Sequence, residues 1–436
     1  MIVQSVRISN KKCPTGIIYL GWGVRARFGP IVVEKNNIIE YNHNVMHEEK
    51  MKKILLSEII SIFVCCGAYA YDNNVISKLA PYANYSFLQN KEPALSEETQ
   101  VLDIRSVNCA NKDLSKYTYE QISFDNGTVF PKDASKLPAD FNANAIMEKH
   151  KNPGLNVRKL HEMGIDGSGI SMAIIDQLLS PHNEYNDNLA HYEEFLVSKG
   201  HSGSMHGSAV SSIAVGKTVG VAPKAKLYYF AADLVDGKFE NDETKRRTSR
   251  YNAAALDRII EINKTLPDNE KIVVVSVSAS PSWSRDPEIW EKALEKAKQA
   301  GIFVTTTGLK QEYGLLDNGV YRFASQEPDN FESYRQTNWQ TGKELPIDVQ
   351  KNTLCFPMDH RTTAAPNGIN DYAHYASGGW SWMKPFEAGV YVLAKQVKPD
   401  ITPEEFFKVG LETGYYSETA KCILVNPVEL IQKLKQ

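Results

Sequence analysis

The chain has 436 residues, a net charge of −3, a hydrophobic share of 42% and a charged share of 23%. That is the composition of an ordinary soluble globular protein, and the length suits two or three domains or one large α/β domain with extensions. The near-neutral balance supplies no basic field for nucleic acid and no strong acidic field.

Residues 1–50 read as an upstream extension, unstructured or the product of a mis-assigned start, because "EKNNIIEYNHNVMHEEK" has no clear period. From Met51 the stretch "MKKILLSEIISIFVCCGAYA" places two lysines before an apolar core and ends in Ala68-Tyr69-Ala70. That is the form of a signal peptide over residues 51–70, with a core too short for a comfortable membrane span; a buried helix is the alternative, and Glu58 interrupts the apolar core. Such a signal acts only at an N-terminus, so secretion or the cell envelope is the expected location if translation starts at Met51. No integral membrane domain is expected. Residues 71–152 are mixed and polar, an N-terminal region that is either a removable pro-region or a permanent domain.

From residue 153 apolar runs of strand length alternate with helical patterns, the signature of a parallel sheet wrapped in helices. The expected strands are 170–176, 225–232, 272–280 and 302–307, mostly apolar as strands covered on both faces are. "DPEIWEKALEKAKQAG" predicts a helix with Asp286 as N-cap, Pro287 in its first position and Gly301 at its end. Trp290, Ala293, Leu294 and Ala297 would line its inner face. "ITPEEFFKVGLETG" predicts a capping box of Thr402 and Glu405, with Ile401 stapled to Phe406.

Six cysteines are present, Cys13, Cys65, Cys66, Cys109, Cys355 and Cys422. None forms a CxxC pair, which argues against a thiolate zinc site. Their irregular spacing argues against a disulfide framework, and removal of residues up to 70 would leave three, so at least one unpaired.

Three stretches carry chemistry. "GISMAIID" ends a strand at Asp176, where parallel sheets place their sites; an aspartate there also serves as a helix cap or turn residue. "HSGSMHGSAVSSIAVG" sets His206 at the start of a helix of small residues, with His201 in the preceding loop and no third ligand to make a metal site of the two. "GGWSWMKPFEAGVYVLAKQV" puts Ser381 at or just before the start of a nearly all-apolar helix, with Pro385 in its first turn. The helix dipole and free N–H groups there favour negative charge, although a serine in that place is also an N-cap. Taken together, a hydroxyl needs a base, and the base needs a carboxylate to hold its tautomer. The order Asp, His, Ser along the chain is one of the known triad orders, that of subtilisin.

On these stretches residues 153–436 resemble the subtilisin-like serine peptidases. "GSGISMAIID" is similar to the family's aspartate strand. "HGSAVSSIAVGKTVGVAPKAKLYYF" is similar to its His-Gly-Thr helix and following turn. "GWSWMKPFEAGVYVLAKQVKPDITPEEF" is similar to its Gly-Thr-Ser-Met-Ala-x-Pro motif and the helix after it. The resemblance implies an α/β fold of three layers, a mostly parallel central sheet with helices on both faces. It implies Asp176 as orienting acid, His206 as general base and Ser381 as nucleophile of a serine endopeptidase acting on polypeptide without a cofactor or catalytic metal. Structural calcium is compatible with it but not readable from these residues.

Departures from the family pattern bear on activity. Where the family has an asparagine that donates to the oxyanion, this chain has Leu309, and loss of one such donor costs about 10²–10³ in turnover. Thr307, Lys310 or Gln311 is a candidate for a substitute donor. Asp176 is followed by Gln177 and Leu178 in place of Thr-Gly. Trp380 and Trp382 flank the nucleophile, either closing the pocket or giving substrate an apolar platform. Ser278 and Ser280 in "VVVSVSASPSW" are the expected backbone partners of a bound peptide. "MDHRTTAAPNG" resembles the strand and turn before the nucleophile, with Arg361 expected in a structural ion pair. Glu387 and Lys384 are charges beside a buried helix, Glu387 either pairing with a nearby base or facing solvent. The alternative to an active peptidase is a weak or inactive homologue that binds peptide or protein, and a third reading is a non-peptidase hydrolase on the same scaffold.

Overall fold

In β5 (Ser171–Asp176) successive side chains leave opposite faces of a sheet, and both faces are covered. Met172 and Ile174 join one hydrophobic cluster and Ala173 and Ile175 another. The computed structural model that establishes this describes residues 31–34, 38–41, 73–97, 99–196, 201–236, 241–242, 245–336 and 346–436. The chain divides into two units, Met1–Tyr71 and Asp72–Gln436. In the first, β1 (Ile31–Glu34) and β2 (Ile38–Tyr41) pair antiparallel. The signal-like segment 51–70 lies outside the described residues.

In the second unit, β3 (Leu102–Asp103) and β4 (Ile122–Asp125) precede β5. There follow β6 (Leu189–Phe195), β7 (Lys226–Ala232), β8 (Ile272–Val277) and β9 (Phe303–Thr306). These four and β5 make a parallel sheet in the order β6-β7-β5-β8-β9. Helices Met205–Val215 and Trp380–Val397 contribute to the cluster of Met172 and Ile174. Helices Arg250–Thr265 and Pro287–Gln299 contribute to the other. The architecture is therefore α/β, a parallel sheet with helices on both faces.

All four expected strands form. The sequence reading missed β6, an edge strand in which only Leu189 and Tyr192 are buried. Trp290, Ala293, Leu294 and Ala297 are the buried face of their helix. Its N-cap Asp286 makes no capping bond; the carboxylate accepts instead from the Thr248 hydroxyl and the Ser249 N–H, both at 2.7 Å. Thr402 caps its helix through the Glu405 N–H at 3.2 Å, while the Glu405 carboxylate faces Lys398 at 3.4 Å rather than reaching back.

A second sheet holds β10 (Asp317–Val320), β11 (Leu354–Pro357), β15 (Cys422–Leu424) and β14 (Tyr415–Ser417) in that order. Cys355 and Cys422, on the neighbouring strands β11 and β15, form a disulfide, against the expectation of no disulfide framework. Cys109 is free and buried. The third sheet, β12-β13-β4-β3, joins the hairpin of β12 (Arg361–Ala364) and β13 (Tyr372–Tyr375) to strands from the N-terminal region. Ala373 faces Asp125 and His374 faces Phe124.

At this junction three imidazoles crowd together. His150 and His374 have ring centroids 4.8 Å apart, His360 and His374 5.8 Å, and all three side chains are buried. Burial and the Arg322 charge push His374 down to about 3, and burial and neighbouring cations hold His150 and His360 well below the ordinary range. A folded-state pKa below the unfolded value means stability that is complete above about pH 6.5 and is lost as pH falls towards 3. The melting temperature should fall steeply below pH 6, with His374 alone accounting for roughly 3–5 kcal/mol. A scan of Tm against pH checks this, and His374→Gln should flatten it.

Candidate active site

Asp176 closes β5, and its carboxylate Oδ1 lies 2.6 Å from His206 Nδ1. Three local features place the histidine. Ser204 caps the helix Met205–Val215 by accepting the His206 N–H at 3.1 Å. The Ser204 N–H donates to the Leu178 carbonyl at 2.8 Å, which ties the cap to the turn after β5. Gly207 lets the helix close on that turn, since a Cβ there would meet the Gln177 carbonyl at 2.8 Å and the Tyr229 hydroxyl at 2.5 Å. With Nδ1–H donating to Asp176, Nε2 is left as the acceptor. Burial lowers the His206 pKa, but the Asp176 charge and hydrogen bond outweigh it and raise it above the ordinary value. His201 is exposed in the preceding loop.

Ser381 is the second residue of the helix Trp380–Val397. Its backbone N–H therefore has no intrahelical acceptor. Pro385 sits in the helix interior rather than in the first turn. Proline has no N–H to give the carbonyl four residues back, and the Ser278 hydroxyl donates to that Ser381 carbonyl at 2.8 Å instead. The Ser381 hydroxyl donates to the Ser278 carbonyl at 3.3 Å. It is thus turned to the segment after β8, and among the described residues it makes no hydrogen bond to His206. The ring that meets His206 is Trp382, edge to face with centroids 5.4 Å apart. Trp382 is buried and also packs on Tyr375 at 5.0 Å. Trp380 is half-buried and donates its indole N–H to Asn318 at 3.1 Å.

Ser278 is thereby bonded twice to Ser381. Ser280 is buried, with its hydroxyl unpartnered, and the carbonyl of Ala279 between them accepts the Thr307 N–H at 2.9 Å. Leu309 is 1% exposed, packs into the core and opens the short helix Leu309–Tyr313, and its side chain carries no hydrogen-bond donor. Glu387 meets Lys384, three residues before it, at 3.0 Å, and Lys384 also bonds to Asp317. Both side chains of the helix pair are fully buried. Burial raises the Glu387 carboxyl, against the pull of Lys384. Glu387 also accepts the Thr305 hydroxyl at 2.9 Å.

Arg361 corrects an expectation. It is buried over the Phe386 ring at 5.2 Å, with Nε and Nη1 unpartnered, and forms no ion pair among the described residues. The sequence reading also missed Asp359, whose carboxylate holds the backbone of Gly378 and Gly379. That contact spans about twenty positions, and no local pattern signals it. A cavity of about 130 Å³ is bounded by Met205, Tyr375, Arg105 and Lys91 among others, and Asp176, His206 and Ser381 are not in its lining. Among the described residues no helix is long and apolar enough to cross a membrane.

No protein-family model matches the chain, and no curated protein does. Solved structures do. A chain of the subtilase cytotoxin SubAB is 12% identical with a TM-score of 0.47, covering 66% of this chain and 96% of that one. The prenylagaramide maturation protease PagA is 17% identical with a TM-score of 0.44, covering 64% of this chain and 98% of that one. A protease from Pseudoalteromonas arctica is 17% identical with a TM-score of 0.42, covering 66% of this chain and 97% of that one. These three stand as likenesses alone, each over about two thirds of this chain.

Proposed function

We propose that the chain is a serine endopeptidase that cleaves polypeptide through an acyl-enzyme on Ser381. The observation that carries this reading is the 2.6 Å contact of Asp176 with His206 Nδ1, which leaves Nε2 free to take a proton. On this reading the Ser381 hydroxyl turns from Ser278 to His206 when substrate binds; catalytic hydrogen bonds are often unformed in the free enzyme. Ser381 Oγ attacks the peptide carbonyl as His206 accepts its proton, and the tetrahedral oxyanion meets the Ser381 N–H at the positive end of the helix. His206 then returns the proton to the leaving amine, and water hydrolyses the ester. No cofactor takes part. The signal-like segment 51–70 favours action after export.

Leu309 and the observed direction of the Ser381 hydroxyl favour a second reading, a weak or inactive homologue that binds peptide. A fluorophosphonate probe separates the two. Native protein should be labelled covalently and Ser381→Ala should not. If neither is labelled, the peptidase reading falls and the binding module stands.

A further inference from the structure

Asp359 lies in the turn between β11 and β12, and its Oδ1 accepts two backbone N–H groups, Gly378 at 2.7 Å and Gly379 at 3.1 Å. These glycines lead into the serine helix. Gly379 is its N-cap with φ of +64°, a conformation that side chains resist. A Cβ on Gly378 would meet the Trp382 ring at 2.4 Å and the Met358 carbonyl at 2.7 Å. Neither position has a side chain of its own to pack, so the loop depends on its backbone contacts for order. A carboxylate accepting from amide N–H is stronger than a neutral acceptor in that place, and here one oxygen serves both.

Asp359 is partly buried, and among the described residues no cation pairs with it. Burial pushes its carboxyl up to about 6 against the two N–H donors. The groups around it are few. The Tyr321 hydroxyl, from the segment after β10, feels its charge. His360 and Arg361 follow it in the chain and are buried, and Lys384 on the serine helix is committed to Asp317 and Glu387.

We propose that Asp359 is a positioning residue for Ser381, its carboxylate fixing Gly378 and Gly379 so that the first turn of the serine helix holds one orientation towards His206. The inference rests on the peptidase reading of the same site. It acts through the backbone, and the chemistry on the substrate remains that of Ser381 and His206.

The test is the rate of fluorophosphonate labelling across pH 5–9. Asp359→Ala should label about 10²-fold more slowly at pH 8, the scale of a misplaced nucleophile. Asp359→Asn keeps an acceptor oxygen but not the charge and should label about tenfold more slowly than native protein at pH 8, the same loss that protonation of Asp359 brings in the native protein. The variant's acid limb should also change. In the native protein the rate falls on acidification as His206 gains a proton and again as Asp359 does; Asp359→Asn should show only the first. A purely structural role would not alter that slope. Labelling of Asp359→Ala at the native rate overturns the proposal. If Asp359→Ala does not fold, an acid limb of Asp359→Asn identical to the native one overturns it. Native protein that is not labelled at all removes the peptidase reading and this role with it, whereas equal labelling of native and Asp359→Ala protein removes this role alone.

Discussion

Asp176→Asn should lower turnover of a peptide substrate by about 10⁴-fold, the loss seen when the orienting carboxylate of such a triad is made an amide. The reason is tautomeric. Asp176 accepts from His206 Nδ1 at 2.6 Å, which keeps Nε2 as the basic nitrogen. An amide can offer its own N–H to Nδ1, and the ring proton then moves to Nε2, where it blocks transfer from Ser381. The pH profile should change with it. The Asp176 charge raises His206 against the lowering effect of burial, so native activity falls away on acidification from above the ordinary imidazole value. With the charge gone, burial remains, and the limb moves to lower pH. Rates against pH for both proteins check the two statements together, and a loss of under tenfold would remove Asp176 from the mechanism.

Lys384→Met should destabilise the protein by about 3–5 kcal/mol, because it leaves buried carboxylates without their cation. Lys384 holds Glu387 at 3.0 Å and bonds to Asp317, and the Lys384 and Glu387 side chains are fully buried. The penalty should shrink in acid. Without Lys384, the Glu387 carboxyl, already raised by burial, rises further above its unfolded value. A group of that kind favours the fold below its unfolded pKa and loses that contribution as pH rises through the folded one. Pairing Lys384→Met with Glu387→Leu should recover part of the loss, since apolar replacement of a whole buried ion cluster is often neutral or favourable. Urea unfolding at pH 5 and pH 8 measures all of this; a change below about 1 kcal/mol would mean that water reaches the cluster.

The central strands were legible because β5, β7, β8 and β9 are covered on both faces and read as mostly apolar runs. β6 was not, since only Leu189 and Tyr192 of it are buried and its Glu193 and Glu194 look like loop residues. The Asp176–His206 pair followed from a strand-end carboxylate and a helix-start imidazole, each set by local rules. What escaped reading depends on partners far along the chain. Pro385 stands inside its helix because a hydroxyl 103 residues away takes over the carbonyl it strands. Arg361 looked like one half of an ion pair, yet it lies over the Phe386 ring. The disulfide between Cys355 and Cys422 joins positions 67 apart whose spacing carries no signal.

The pairing of β4 with β13 reaches across the boundary at residue 153, where the resemblance begins. A chain trimmed to 153–436 would lose the strand that covers β13 and with it Phe124, whose ring packs on His374 at 5.5 Å. The hairpin that leads to Ser381 would then end in bare amides and carbonyls, an open template for a second molecule to add a strand. Recombinant work confined to the apparent catalytic segment would meet that defect as precipitation, whatever the fate of residues 71–152 in the cell.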